Sequence, residues 1–384
     1  MKKLIARLLK QEDPSVYQLK DGQLEPTLRT IDLIGLGTGM VVGTAIFTLP
    51  GIVAAEHTGP AVPLAFIVAA IGAGLSALAY AETASASVLP FAGSAFSWMN
   101  VLFGEFFGWI AGWALLAEYF ISVAFVASGW SAYMQGFLAS FGIKLPTALT
   151  GGFNPASGSY VDIFAAIAIL AVGWLLSHGV HQVARIENTI VAIKLLVIIL
   201  FIVVGATAIH TQNYHPFIPA HRPGTTFGGW TGIMAGASQI FIAYVGFDAI
   251  AANTAETKNP QKTMPRGLIG TLVLGTSFFI VVSLVLVGMF KYSRYANNAE
   301  PAAWALRESG HYLTANLLSV VALIGIFSAL IAILLASSRL IYAFGRDGLL
   351  PSFLGHVDAK RVPNRALWTI TVLAMILGSI FPFT

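Results

Sequence analysis

The chain has 384 residues, of which 57% are hydrophobic and only 10% charged, too little charge to cover the surface of a soluble protein of this size. It reads as an all-α integral membrane protein, and a mean hydropathy of +0.78 with 38 glycines agrees, because membrane helices use glycine where they pack closely or break. The net charge of +4 is explained by basic residues gathering on cytoplasmic loops, so no nucleic-acid partner is expected, and the lack of cysteine excludes disulfides, thiolate metal sites, iron–sulfur clusters and cysteine nucleophiles.

Residues 1–30 carry basic side chains but lack the apolar run and small-residue cleavage site of a signal peptide, so they are expected to form a cytoplasmic amphipathic tail. Apolar stretches of about 20 residues then predict nine spans, at 31–55, 60–82, 104–134, 162–178, 187–209, 233–254, 267–290, 314–345 and 366–383. Fifteen of the 21 lysines and arginines fall on the side of the N-terminus and five on the other, leaving Lys194 within a span. That bias places the N-terminus in the cytoplasm.

Gly43 lies near the middle of the first span, in LGTGMVVGTAIF, and Gly246 near the middle of the sixth, in FIAYVGFDAIAANTAE, 203 residues later. The starts of the second, third and fourth spans recur in the seventh, eighth and ninth at offsets of 204 to 210 residues. Five helices are an odd number, so the second unit must sit inverted relative to the first. A five-plus-five inverted repeat is therefore expected, with 31–209 the first unit and 233–384 the second. The second holds four helices, since the counterpart of the fifth span would start beyond Thr384.

Unwound backbone inside a bilayer survives only where it lines a cavity or is buried in protein. Around 41–46, amides opening a second half-helix can hold a carboxylate, while carbonyls ending the first can accept from an ammonium. Together these are the charged groups of an α-amino acid. Close helix packing is the alternative account of Gly35, Gly37, Gly39 and Gly43.

Three ionisable residues stand out inside spans, where each is costly and faces a cavity or a partner. Glu118, in GWALLAEYFISV, has Ala114 and Ser122 on its own helical face, which leaves room for an ion or substrate; a hydrogen-bonded structural glutamate is the alternative. Lys194, in ENTIVAIKLLVIILF, must find a carboxylate or release its proton, and either permits a proton switch, with snorkelling as the alternative. Asp248 follows the break at Gly246 and either caps the following half-helix or touches substrate. The histidines, His178 with His181 and the group His210, His215 and His221, bring no carboxylate at ligand spacing, so neither metal nor cofactor is expected. There is no GxSxG, HExxH or P-loop pattern. The strongest enzyme reading, an intramembrane acyl or glycosyl transferase with Glu118 or Asp248 as base, lacks a histidine-plus-carboxylate motif.

Four segments, GLGTGMVVGTAIFTLPG (35–51), AYAETASASVLPFAGSAFSWMNVLFGEFFGWIAGWALLAEY (79–119), FIAYVGFDAIAANTAETKNPQKTMPRGL (241–268) and SSRLIYAFGRDGLLP (337–351), resemble the amino acid–polyamine–organocation superfamily, and within it the cationic amino acid transporter group. The resemblance implies the leucine-transporter-type fold and secondary active import of amino acids by alternating access across the cytoplasmic (plasma) membrane. It implies proton coupling through the lysine of the fifth helix, here Lys194, with the third-helix glutamate matching Glu118. It further implies that Val41, Gly43, Thr44 and Ala45 hold the substrate's carboxylate and ammonium, with Ile242, Val245 and Asp248 contributing from the sixth helix. The chain departs from the family pattern in carrying Ala45 where a second glycine is usual, and Ile242 in place of an aromatic lid, a part for which Phe241 is the neighbouring candidate. The acidic pair of the following loop is reduced to Ala255 and Glu256. An exchanger, a facilitator or an amino acid sensor would bind the same ligand through the same helices. Amino acid, protons and membrane lipid are the expected partners.

Overall fold

The computed structural model describes residues 24–381 except 44, 87–90, 141, 144, 157, 245, 297, 299 and 360, together with 11, 13 and 21. The amphipathic character expected of the first twenty residues thus lies largely outside the described residues.

Each apolar stretch is helical: α1 (Thr30–Val41), α2 (Ala45–Val53), α3 (Val62–Ser85), α4 (Ala95–Leu102), α5 (Glu105–Ser140), α6 (Ile163–Leu176), α7 (Val180–Ala206), α8 (Gly229–Phe241), α9 (Pro260–Met289), α10 (Pro301–Glu308), α11 (Tyr312–Arg346) and α12 (Asn364–Ile380). A 3-10 segment, Phe247–Glu256, continues the line of α8. Among the described residues six segments are long and apolar enough to cross a membrane: Ala45–Ser85, Glu105–Leu138, Val180–Ala206, Gly229–Glu256, Pro260–Met289 and Tyr312–Arg346. The nine spans expected from hydropathy are thus not all matched by helices of that length, because α1, α6 and α12 are shorter apolar helices of 12, 14 and 17 residues. α1 is short because the chain leaves helical geometry at Val42.

Helix ends follow local chemistry. The Asp32 carboxylate accepts from the Arg29 amide at 2.9 Å, and Asp162 opens α6 by accepting from the Ala165 amide at 3.0 Å, both satisfying donors that a first helical turn leaves free. α9 packs between α1 and α3, α11 packs on α5 and α7, and α12 on α6. Large apolar side chains such as Leu75, Leu196 and Val203 stay exposed on the outside, as a face turned to lipid requires.

One end of the bundle is closed by the segment before α1. Leu24 and Leu28 are buried, and the Thr27 and Leu28 amides donate to the Glu256 carbonyl at 3.0 and 2.9 Å while the Lys258 amide donates to Leu28. The buried Asp21 pairs with Arg346 at the end of α11 at 2.5 Å, and the Ala92 amide also donates to it. Beside it the Arg339 guanidinium grips both oxygens of Glu256 at 2.7 and 2.8 Å. The opposite end holds a cavity of about 620 Å³ lined by residues including Tyr133, Glu300, Arg307, Asn316 and Ser319.

Where α11 meets the turn after it, a methyl group placed on Gly345 would fall 2.5 Å from the Gly355 nitrogen, a backbone atom that cannot swing away. Gly345→Ala should therefore lower stability by about 1–3 kcal/mol, read as a lower thermal midpoint in detergent. Gly129→Ala, which lies inside α5 and meets nothing within 4 Å, should instead raise it by about 0.5–1 kcal/mol.

Candidate substrate and coupling sites

Two interruptions face one another at the centre of the bundle. α1 closes its last turn with the Val42 amide donating to Thr38 at 2.9 Å, then Val42 adopts φ −92°, ψ 58° and α2 starts afresh at Ala45. The first amides of α2 and the last carbonyls of α1 are thus freed within the protein interior. In the second interruption α8 ends at Phe241, a 3-10 turn covers Ile242–Tyr244, and Gly246 takes φ +109°. That left-handed conformation favours glycine, and a Cβ there would press on Met40, so the two breaks adjoin.

Val41 is fully buried against Gly275 of α9. Gly43 and Ala45 are half-buried, and a methyl on Gly43 would meet only the Met40 carbonyl oxygen, at 3.4 Å. Thr44 and Val245 lie outside the described residues. Asp248 is 8% exposed; the Tyr119 hydroxyl donates to its carboxylate at 2.5 Å, and the amides of Gly246, Asp248 and Ala249 gather on it. The Ser94 hydroxyl donates to its carbonyl at 3.4 Å. Glu118, half-buried and next to Tyr119, lies within electrostatic reach of Asp248 and Tyr80. Tyr80 in turn sits edge-on to Phe247, with ring centroids 5.9 Å apart. Phe241 and Ile242 are 42% and 73% exposed. Phe241 lies beside Gly72 of α3, because the face that α8 buries runs through Ile233, Gly236, Ala237 and Ile240.

A second cluster is separate from the carboxylates Glu118 and Asp248. Lys194 is 3% exposed and its ammonium donates to the Gly39 carbonyl at 3.0 Å and to the Ser328 hydroxyl at 3.3 Å. It therefore sits at the negative end of the α1 dipole and ties α1 to α11. The carboxylate that accompanies it is Glu187, not Glu118. Glu187 is completely buried and accepts from the Ser328 hydroxyl. Sequence reasoning missed Glu187, although it stands seven residues before Lys194 and so on the same helical face. Tyr119 was missed as well, since a tyrosine within an apolar run carries no signal of its own, and so was Ser328. Among the described residues no group of three histidines or carboxylates is placed to hold a metal.

A family model described as amino acid permease matches residues 28–384. The branched-chain amino acid permease BcaP of Lactococcus lactis subsp. cremoris (strain MG1363) is 51% identical over 98% of this chain and 80% of that protein. The vacuolar cationic amino acid transporter 4 of Arabidopsis thaliana is 34% identical over 98% of this chain and 62% of its own length. In three dimensions the chain resembles MhsT, whose crystal structure was determined in complex with L-phenylalanine, with a TM-score of 0.63 at 16% identity over 92% of this chain and 79% of that one. The leucine-transporter-type fold expected from the sequence is the fold of this chain.

Removing the donor to a buried carboxylate costs more than removing a neutral hydrogen bond. Tyr119→Phe should destabilise the protein by about 1.5–3 kcal/mol. Combining it with Asp248→Asn should give a double-mutant loss smaller than the sum of the two, measured by unfolding in detergent.

Proposed function

Since the chain belongs to the amino acid permease family, we propose that it is a secondary active transporter that imports amino acids across the cytoplasmic membrane by alternating access, driven by protons through Lys194. The observation that carries the reading is the Lys194 ammonium on the Gly39 carbonyl and Ser328, a positive charge held between the broken first helix and α11. With its proton, Lys194 tethers the two; without it, the charge that holds the α1 terminus is gone and the balance between outward- and inward-facing states shifts. Transport uses the two interrupted helices, which belong to units 31–209 and 233–384 related by inversion. The N-terminus lies in the cytoplasm, as the bias of basic residues suggests.

The substrate's carboxylate is taken by the amides opening α2, from Thr44 and Ala45, and its ammonium by the carbonyls around 41–43 and 242–245. Asp248 is committed to Tyr119 and to its own backbone, which leaves it a cap and positioning group. With that carboxylate occupied, a neutral side chain fits this reading best, and the name of the BcaP relative points the same way. Glu118 supports the other reading, a basic side chain, since it is half-buried beside the break.

Leucine should bind in the micromolar to millimolar range usual for small substrates, while leucinamide and N-acetyl-leucine should not compete; competition by either would remove the backbone from substrate recognition. In sodium-free proteoliposomes Lys194→Ala should lose accumulation driven by a pH gradient while keeping leucine binding. Lys194→Arg should bind without coupling, because guanidinium does not release its proton. Counterflow separates transport from an amino acid sensor, which would show none. Loss of arginine but not leucine uptake in Glu118→Gln would instead favour the basic-substrate reading.

A further inference from the structure

Glu187 is a fully buried carboxylate that the transport reading does not use. Its Oε1 accepts from the Ser328 hydroxyl, whose oxygen in turn accepts from the Lys194 ammonium at 3.3 Å. Its Oε2 is equally buried and has no hydrogen-bond partner among the described residues. A methyl placed on Gly39 would overlap the Glu187 carboxylate, so α1 approaches as closely as glycine allows. Charged groups on the elements packed against α7 are otherwise engaged or remote. Asp32 on α1 is held by Arg29 and Asn188. Arg339 and Arg346 on α11 are held by Glu256 and by Asp21 with Asp347. Lys262 and Arg266 are exposed at the start of α9, and α6 has no ionisable residue. The charge facing Glu187 is therefore Lys194.

We propose that Glu187 is a proton relay for Lys194, exchanging a proton with it through the Ser328 hydroxyl and passing it to the end of the bundle closed by residues 24–28. The proposal rests on Lys194 being the coupling residue. An ammonium N–H bond breaks as that proton joins the Ser328 oxygen; the former hydroxyl O–H bond breaks as its proton joins Glu187 Oε1. Ser328 is unchanged, Lys194 becomes a neutral amine and Glu187 a neutral acid. Two buried opposite charges are replaced by none, so net charge is conserved and the desolvation burden falls. Direction follows from the backbone: Ser328 joins the two side chains, while seven residues at 1.5 Å each put the backbone of Glu187 about 10 Å nearer the start of α7 than that of Lys194. Val180 at that start shares a cavity of about 390 Å³ with Glu25, Thr27 and Lys258, at the sealed end.

The test uses the full chain in sodium-free proteoliposomes, with leucine accumulation under a pH gradient compared with leucine counterflow without one. Glu187→Gln should keep counterflow within ~3-fold of the unaltered protein and lose at least ~10-fold in accumulation, with Glu187→Asp restoring part. Ser328→Ala should lose accumulation in the same way and Ser328→Thr, which keeps the hydroxyl, should retain it. Undiminished accumulation by Glu187→Gln overturns the relay, as does a parallel loss of accumulation and counterflow that Glu187→Asp does not relieve. Lys194→Ala in the same assay separates the two readings. If it still accumulates leucine, coupling through Lys194 has failed; if it does not while Glu187→Gln does, the relay alone has failed. Should Glu187→Gln not fold, equal accumulation by Ser328→Ala and Ser328→Thr overturns the proposal.

Discussion

The arrangement depends on a positive charge at the C-terminal end of a helix that stops halfway. α1 ends among apolar helices with carbonyls that have no following turn to serve them, and in a bilayer such groups find no water. The Lys194 ammonium answers one of them at Gly39 and reaches α11 through Ser328. A lysine buried this deeply is itself unstable without partners. The break and the lysine thus stabilise one another, and neither is readily changed alone.

The same economy operates at the second break. Gly246 turns the chain by taking a left-handed conformation, and the 3-10 segment after it begins with a carboxylate at its positive end. Asp248 collects the amides there and the Tyr119 hydroxyl from α5, fixing the sixth-helix segment against the third apolar span. The end of α1 and the start of the 3-10 segment are therefore each held by a charge of the sign its dipole calls for.

Much of this was legible in the chain itself. Gly43 and Gly246 marked the interruptions because both sit inside apolar runs at matched positions, and Lys194 stood out as a base deep within an apolar run. Glu187 was hidden by its place in that reading: it fell on the first position of the expected fifth span, where a charge reads as a helix end, whereas α7 starts at Val180 and draws Glu187 fully inside. α10 escaped for a similar reason, being only eight residues long. The family resemblance implies parts in substrate binding for Ile242 and, as a substitute lid, for Phe241. The helical period of α8, burying Ile233, Gly236, Ala237 and Ile240, sets Phe241 beside Gly72 of α3, a packing that no local pattern announces. Tertiary pairings such as Tyr119 with Asp248 and Arg339 with Glu256 join residues too distant in sequence to be read from local pattern.

The closed end of the bundle has a consequence for how it opens. Asp21 with Arg346, which Asp347 also holds, and Glu256 with Arg339 place two ion pairs out of water. Pulling either pair apart while dry would strand charges at a cost of several kcal/mol each. In the proposed transport cycle, opening there is therefore a wetting event, in which solvent arrives as the carboxylates and guanidiniums part. The rate of that step is then set by the work of hydrating a narrow space as much as by the motion of helices, and it responds to the activity of water itself.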